Sequence, residues 1–139
     1  MFRLYFRIRR RVRQRRRAAP GRRDYLARRD AARALAIGRI EHFRRRYELV
    51  DPALGTSLQH VRLAIRNQRG RWGSCSARKN INFNYRILDL PAELRDYVVV
   101  HEMCHLKELH HGPAFWSLME LVIPHARALD AVARKTPIH

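Results

Sequence analysis

The chain has 139 residues and 46% hydrophobic content, which suits one domain with a modest core and argues against wholesale disorder. Its 30 Lys and Arg against 12 Asp and Glu give a formal net charge of +18, a balance that attracts polyanions through phosphate neutralisation. Two cysteines in no C-x-x-C pair exclude a disulfide framework, and no apolar run reaches membrane-spanning length, so cytoplasm is the expected location.

The start, "MFRLYFRIRRRVRQRRR", is cationic but has no apolar segment after it, so it lacks the body of a secretory or twin-arginine signal. Within it residues 2–8 alternate, with Phe2, Leu4, Phe6 and Ile8 on one face, as in a short strand that needs a partner sheet. "RRRAAPGRR" reads as a linker. Residues 1–23 are therefore an expected Arg-rich arm, and residues 24–139 the expected domain. The arm is the natural contact for weak nucleic-acid binding, although no zinc-finger spacing or aromatic RNA-binding signature accompanies it.

From Asp30 to about Leu49 the spacing predicts a helix, with Leu35, Ile40, Phe43 and Tyr47 roughly along one stripe. After "VDPALGTS" comes a strand, "HVRLAIR", with Val61, Leu63 and Ile65 on one side and Arg62 and Arg66 on the other. "RWGSCS" and "INFNYRIL" read as a hairpin joined near "ARKN". In its second strand Ile81, Phe83, Tyr85 and Ile87 face the core, and Asn82 and Asn84 the opposite side. "DLPAEL" opens a helix carrying "DYVVVHEMCHLKEL". A further helix follows "GP" through "AFWSLMEL", and Pro124 starts the last. The sum is α+β: a small antiparallel sheet packed with helices.

"VVVHEMCHLKELHHGPAFW", residues 98–116, holds four of the eight histidines. On a helix His101 and His105 are four residues apart and share a face, so two imidazoles can reach one zinc ion. Glu102 points to the side of the pair, within reach of a metal-bound water. This is the H-E-x-x-H arrangement of zinc peptidases. Zinc lowers the pKa of its water from about 15.7 to roughly 7, and the glutamate takes the proton and later passes it to the leaving amine. Two ligands make a poor site, and His110, His111 and Glu120 are the candidates for a third.

A structural zinc normally has four protein ligands, whereas a catalytic one keeps a position open. Three good candidates without a convincing fourth favour peptide hydrolysis. The alternative is a nucleic-acid-associated binding module with a structural zinc; a mixed reading is a peptidase recruited to nucleic acid or ribosomes by its basic arm. Beside the site, Arg71, Trp72, Gly73 and Ser74 offer either hairpin packing or an edge onto which an extended peptide could pair. Asn82 and Asn84 are surface residues or partners orienting a ligand histidine. Cys104, Phe115 and Trp116 read as core filling.

The run "RGRWGSCSARKNINFNYRILDLPAELRDYVVVHEMCHLKELHHGPAFW", followed by "ELVIPHAR", closely resembles the YgjP-like branch of bacterial metallopeptidases, relatives of the SprT-like proteins. The resemblance extends from about residue 24 to residue 135 and is strongest from Arg69 to Pro124. It implies a minimal zincin-like domain whose zinc is held by His101, His105 and His111, with Glu102 as base and a protein or peptide as substrate. Arg71, Trp72, Asn82 and His110 are the expected substrate contacts. Members usually have a longer β-rich N-terminal part where this chain has its Arg-rich arm. They often have glycine where "ARKN" stands, so Lys79 or Asn80 is expected in the left-handed region. On a continued helix His111 would turn roughly 120° away from the ligand face. The helix is therefore expected to stop near Leu109, with His110, commonly Asn in the family, taking the left-handed conformation.

Overall fold

A computed structural model describes residues 20–138; the expected strand at residues 2–8 lies outside the described residues. The first helix, α1, spans Arg22–Val50 and so begins before the expected Asp30, with Asp24 placed favourably in its first turn. Arg22 and Arg23, read as linker, belong to it. Its buried stripe is Ala32, Ala36, Ile40, Phe43 and Tyr47, at helical spacing. The two alanines extend the packing face toward the N-terminus, where a stripe of large apolar residues is hard to see. Tyr47 is fully buried, and its hydroxyl donates to the Leu118 carbonyl at 2.9 Å and lies 3.2 Å from Cys104 Sγ.

Asp51 ends α1 and starts the short helix α2, Pro52–Ser57, by accepting from the Leu54 N–H at 3.2 Å. Its other oxygen accepts from Lys107 Nζ at 2.5 Å. The hydrogen bond from Lys107 holds the Asp51 carboxyl below its ordinary value of 3.8. A carboxyl lowered by folding contributes stability that is complete above its unfolded pKa and lost as pH falls through the folded one. Asp51→Ala should therefore cost about 1–2 kcal/mol at neutral pH, much of it the lost cap. Urea denaturation should show that gap narrowing as the pH drops below 3.8.

Three strands follow: β1, Arg62–Arg66; β2, Gly73–Cys75; and β3, Asn80–Asn84, in spatial order β1-β3-β2. The expected hairpin is β2–β3, antiparallel with Ser74 opposite Asn82. Lys79 takes the left-handed conformation there, φ 61°. β1 pairs with β3 in parallel, so the sheet is mixed rather than antiparallel throughout. Alternation marks a strand but not its neighbour, and here the returning arm of the hairpin inserts between the other two.

β3 also stops at Asn84, and Tyr85–Asp89 is a 3-10 helix instead of further strand. Ile81, Phe83, Tyr85 and Ile87 are nonetheless all buried. Asn84 causes the change. Its side-chain oxygen accepts from the Arg86 N–H at 3.1 Å, and its amide donates to the carbonyls of Gln68 at 2.5 Å and Arg71 at 3.2 Å. It is thus fully buried, off the expected polar face, and it secures the β1–β2 loop rather than a histidine.

α3, Ala92–Cys104, buries Leu94, Tyr97, Val98, Val99, Val100, Met103 and Cys104, so it is apolar on most sides and runs through the centre. The sheet, α1, α4 (Pro113–Glu120) and α5 (Ala126–Lys135) surround it. Arg39 clamps α1 to α3 through Asp96 at 2.8 and 2.9 Å. α5 begins after His125, which is left-handed at φ 62°, and not at Pro124. Among the described residues no helix is long and apolar enough to cross a membrane.

Candidate metal centre

α3 ends at Cys104, and the chain tightens into a turn in which the N–H groups of Leu106 and Glu108 donate to the carbonyls of Met103 at 3.1 Å and Cys104 at 2.9 Å. The stop comes earlier than Leu109, and His110 does not take the left-handed conformation. Among the described non-glycine residues only Lys79 and His125 have positive φ. His105 holds the turn itself: its Nδ1–H donates to the Glu108 carbonyl at 2.9 Å. With the turn complete by Glu108, the next residues bring His111 back over the ligand face.

His101, His105 and His111 converge. Their Nε2 atoms are 3.1 Å apart for the pairs 101–105 and 101–111 and 3.0 Å for 105–111. Metal–nitrogen bonds of 2.0–2.1 Å in a tetrahedral site imply edges of about 3.3 Å, close to this triangle. The far nitrogens set the tautomers. Tyr97 donates its only hydroxyl proton to Asp130 at 2.7 Å, so at 2.9 Å it must accept from the His101 Nδ1–H. His105 uses its Nδ1–H on Glu108. Both rings therefore turn unprotonated Nε2 atoms toward the common point. Lone pairs that close repel, and a cation between them removes the repulsion; the donor set fits a metal ion. Burial, helped by the other two histidines, holds His101 down to about 3, and burial also lowers His105, which favours the neutral ligating form.

Phe115, from α4, is fully buried beneath this triad. Its ring stacks on His105 at 4.7 Å and meets His101 and His111 edge-on at 5.0 and 4.9 Å. Glu102 is 6% exposed, and burial pushes its carboxyl up to about 8 while the charge of Arg71 pulls the other way. An open cavity of about 340 Å³ runs alongside, lined by Trp72, Gly73, Tyr97, His101, Glu102 and Asp130 among others.

Of the expected substrate contacts, Trp72 lines this cleft while packing against the core. Arg71 is exposed and reaches Glu102 through its charge. Asn82 donates to Ser74 Oγ across the hairpin at 3.2 Å, and His110 is exposed; neither lines the cleft. Glu120 stands outside the histidine group. Sequence reasoning missed Tyr97, Asp130 and Arg134, whose Nε donates to Asp130 at 2.8 Å. Tyr97 was findable, because it precedes His101 by the spacing that joins the two helical histidines. Asp130 comes from another helix and carries no such signal.

The YgjP-like metallopeptidase domain family matches residues 7–135. No curated protein matches the chain significantly. Among solved structures, the crystal structure of the metallopeptidase zymogen of Pyrococcus abyssi abylysin is similar, with 25% identity and a TM-score of 0.57. That similarity covers 72% of this chain and 93% of the other. With nearly its whole length matched and His111 converging on the two histidines of the H-E-x-x-H segment, the chain belongs to the YgjP-like metallopeptidase domain family.

Proposed function

We propose that this domain is a zinc peptidase in which His101, His105 and His111 hold the metal and Glu102 is the general base. The observation that carries this reading is the triangle of Nε2 atoms 3.0–3.1 Å apart, two of them with their protons directed to the far side of the ring. An all-imidazole set of this size suits zinc. Bound zinc would acidify a water and polarise the scissile carbonyl. Glu102, beside the His101 and His105 pair and lining the cleft, would take the proton and return it to the leaving amine. Among the described residues no fourth ligand joins the histidines, which favours an open, catalytic position over a structural zinc.

The substrate we infer is an extended segment of protein or peptide. Among the described strands β2 lies at the edge of the sheet beside Glu102, where a peptide can pair with it. Trp72 would contact the peptide in the cleft, and any contact from Arg71, Asn82 or His110 would be to parts of the substrate outside it. The free thiols of Cys75 and Cys104 suit the cytoplasm.

Elemental analysis of the pure protein, paired with cleavage of a peptide library, tests the proposal. One zinc per chain is expected, with cleavage that a chelator removes and added zinc restores. Cleavage that persists in metal-free protein would overturn it. The link from Asp130 through Tyr97 to His101 gives a second expectation. Tyr97→Phe leaves the His101 Nδ1–H without its acceptor and should weaken zinc binding by about 10-fold or more. Competition with a chromogenic chelator measures this, and an unchanged affinity would mean that the link does not orient the ligand.

A further inference from the structure

We infer that Gly73 is a positioning residue for Glu102: the side chain it lacks is the space in which the carboxylate is held. The inference rests on the reading of Glu102 as base and extends it to the edge strand. A Cβ at Gly73 would stand 2.9 Å from Glu102 Cγ, 3.0 Å from its Oε1 and 3.1 Å from the Asn82 carbonyl oxygen. Carbon atoms in contact settle at about 3.5–4.0 Å, so something would have to move.

Conformation does not demand glycine here, since no described glycine has positive φ. The demand is for space alone. A Cβ at Gly38, Gly70 or Gly112 would meet nothing within 4 Å, and the other crowded glycine, Gly55, would press on Glu48, away from the histidines, at 2.7 Å from its Cγ. The obstacle cannot easily yield. Cγ belongs to the stem of Glu102 rather than its free end, and the residue sits buried on the central helix between His101 and Met103. On the other side, the Asn82 carbonyl belongs to the main chain of β3, paired opposite Ser74.

A methyl group at position 73 therefore has to displace Glu102 or lift β2. The bare backbone of β2 lies directly over the carboxyl stem, excludes water from that side and limits the rotamers available. The other side remains open to the cleft, which Gly73 and Glu102 both line. One glycine thus brings the edge where an extended peptide would pair and the base that would act on it into direct contact.

The test uses zinc-loaded, full-length protein. Gly73→Ala should reduce kcat by about a hundredfold, the scale of an ångström's misplacement of a reacting group. KM and zinc content should stay near wild type. Thermal unfolding then separates positioning from general damage. Gly73→Ala should lower the midpoint clearly in the wild-type background and much less in Glu102→Ala, where Cγ and the carboxylate are gone. Should the single variant fail to fold, recovery of folding in the double variant supports the inference equally. Additive midpoint losses, a double variant that also fails to fold, or an undiminished kcat would each overturn it. Activity retained in Glu102→Gln would instead defeat the base assignment while leaving the coupling of midpoints intact, so the two failures are distinguishable.

Discussion

Glu102→Gln is expected to lower kcat for peptide hydrolysis by about 10²–10⁴-fold while leaving zinc content near that of the wild type. The amide keeps the size of the carboxyl, so the packing of a side chain only 6% exposed is preserved. What it loses is the ability to accept a proton. The three histidines converge without help from Glu102, and so the ion should remain. Steady-state kinetics on a fluorogenic peptide, together with elemental analysis, reads both halves. A variant with most of its activity would place the base elsewhere. One stripped of zinc would make Glu102 a ligand.

Phe115→Ala should destabilise the fold by about 3–5 kcal/mol, the range for deleting a buried aromatic ring. The effect should reach the metal as well. Phe115 touches all three histidine rings and stacks on His105, so its loss gives the triad freedom to leave the geometry in which its Nε2 atoms converge. Zinc affinity should fall with stability, and saturating zinc should recover part of the loss because the ion binds only the folded chain. Urea denaturation with and without zinc measures both. A cost below about 1 kcal/mol with unchanged affinity would make the ring a bystander, outside the range for core truncations.

Local regularity made much of this protein legible in advance. His101, Glu102 and His105 could be placed from the helical repeat, because three residues within about one turn share a geometry that tertiary contacts hardly alter. The β2–β3 hairpin could be read for the same reason, since a short turn sets its own backbone, while the family resemblance pointed to Lys79 or Asn80 as its left-handed residue and Lys79 takes that conformation. Alternation correctly marked Ile81, Phe83, Tyr85 and Ile87 as core even though only the first two lie in a strand.

Contacts between distant residues decided the rest. Asn84 ends β3 early because the Gln68 and Arg71 carbonyls, brought over by the β1–β2 loop, accept its amide protons. Periodicity carries no record of which strand β1 will join, so the parallel pairing had no signature. The path to His111 depended on a turn fastened by His105 to the Glu108 carbonyl, where backbone propensities had pointed to His110. Asp130 entered the site only when α5 packed beside α3 and met the Tyr97 hydroxyl. The sequence by itself determined the chemistry available, since residue types and short spacings are local facts. Which rings converge, which nitrogens keep their protons and how closely β2 approaches Glu102 were decided by packing between segments remote in the chain.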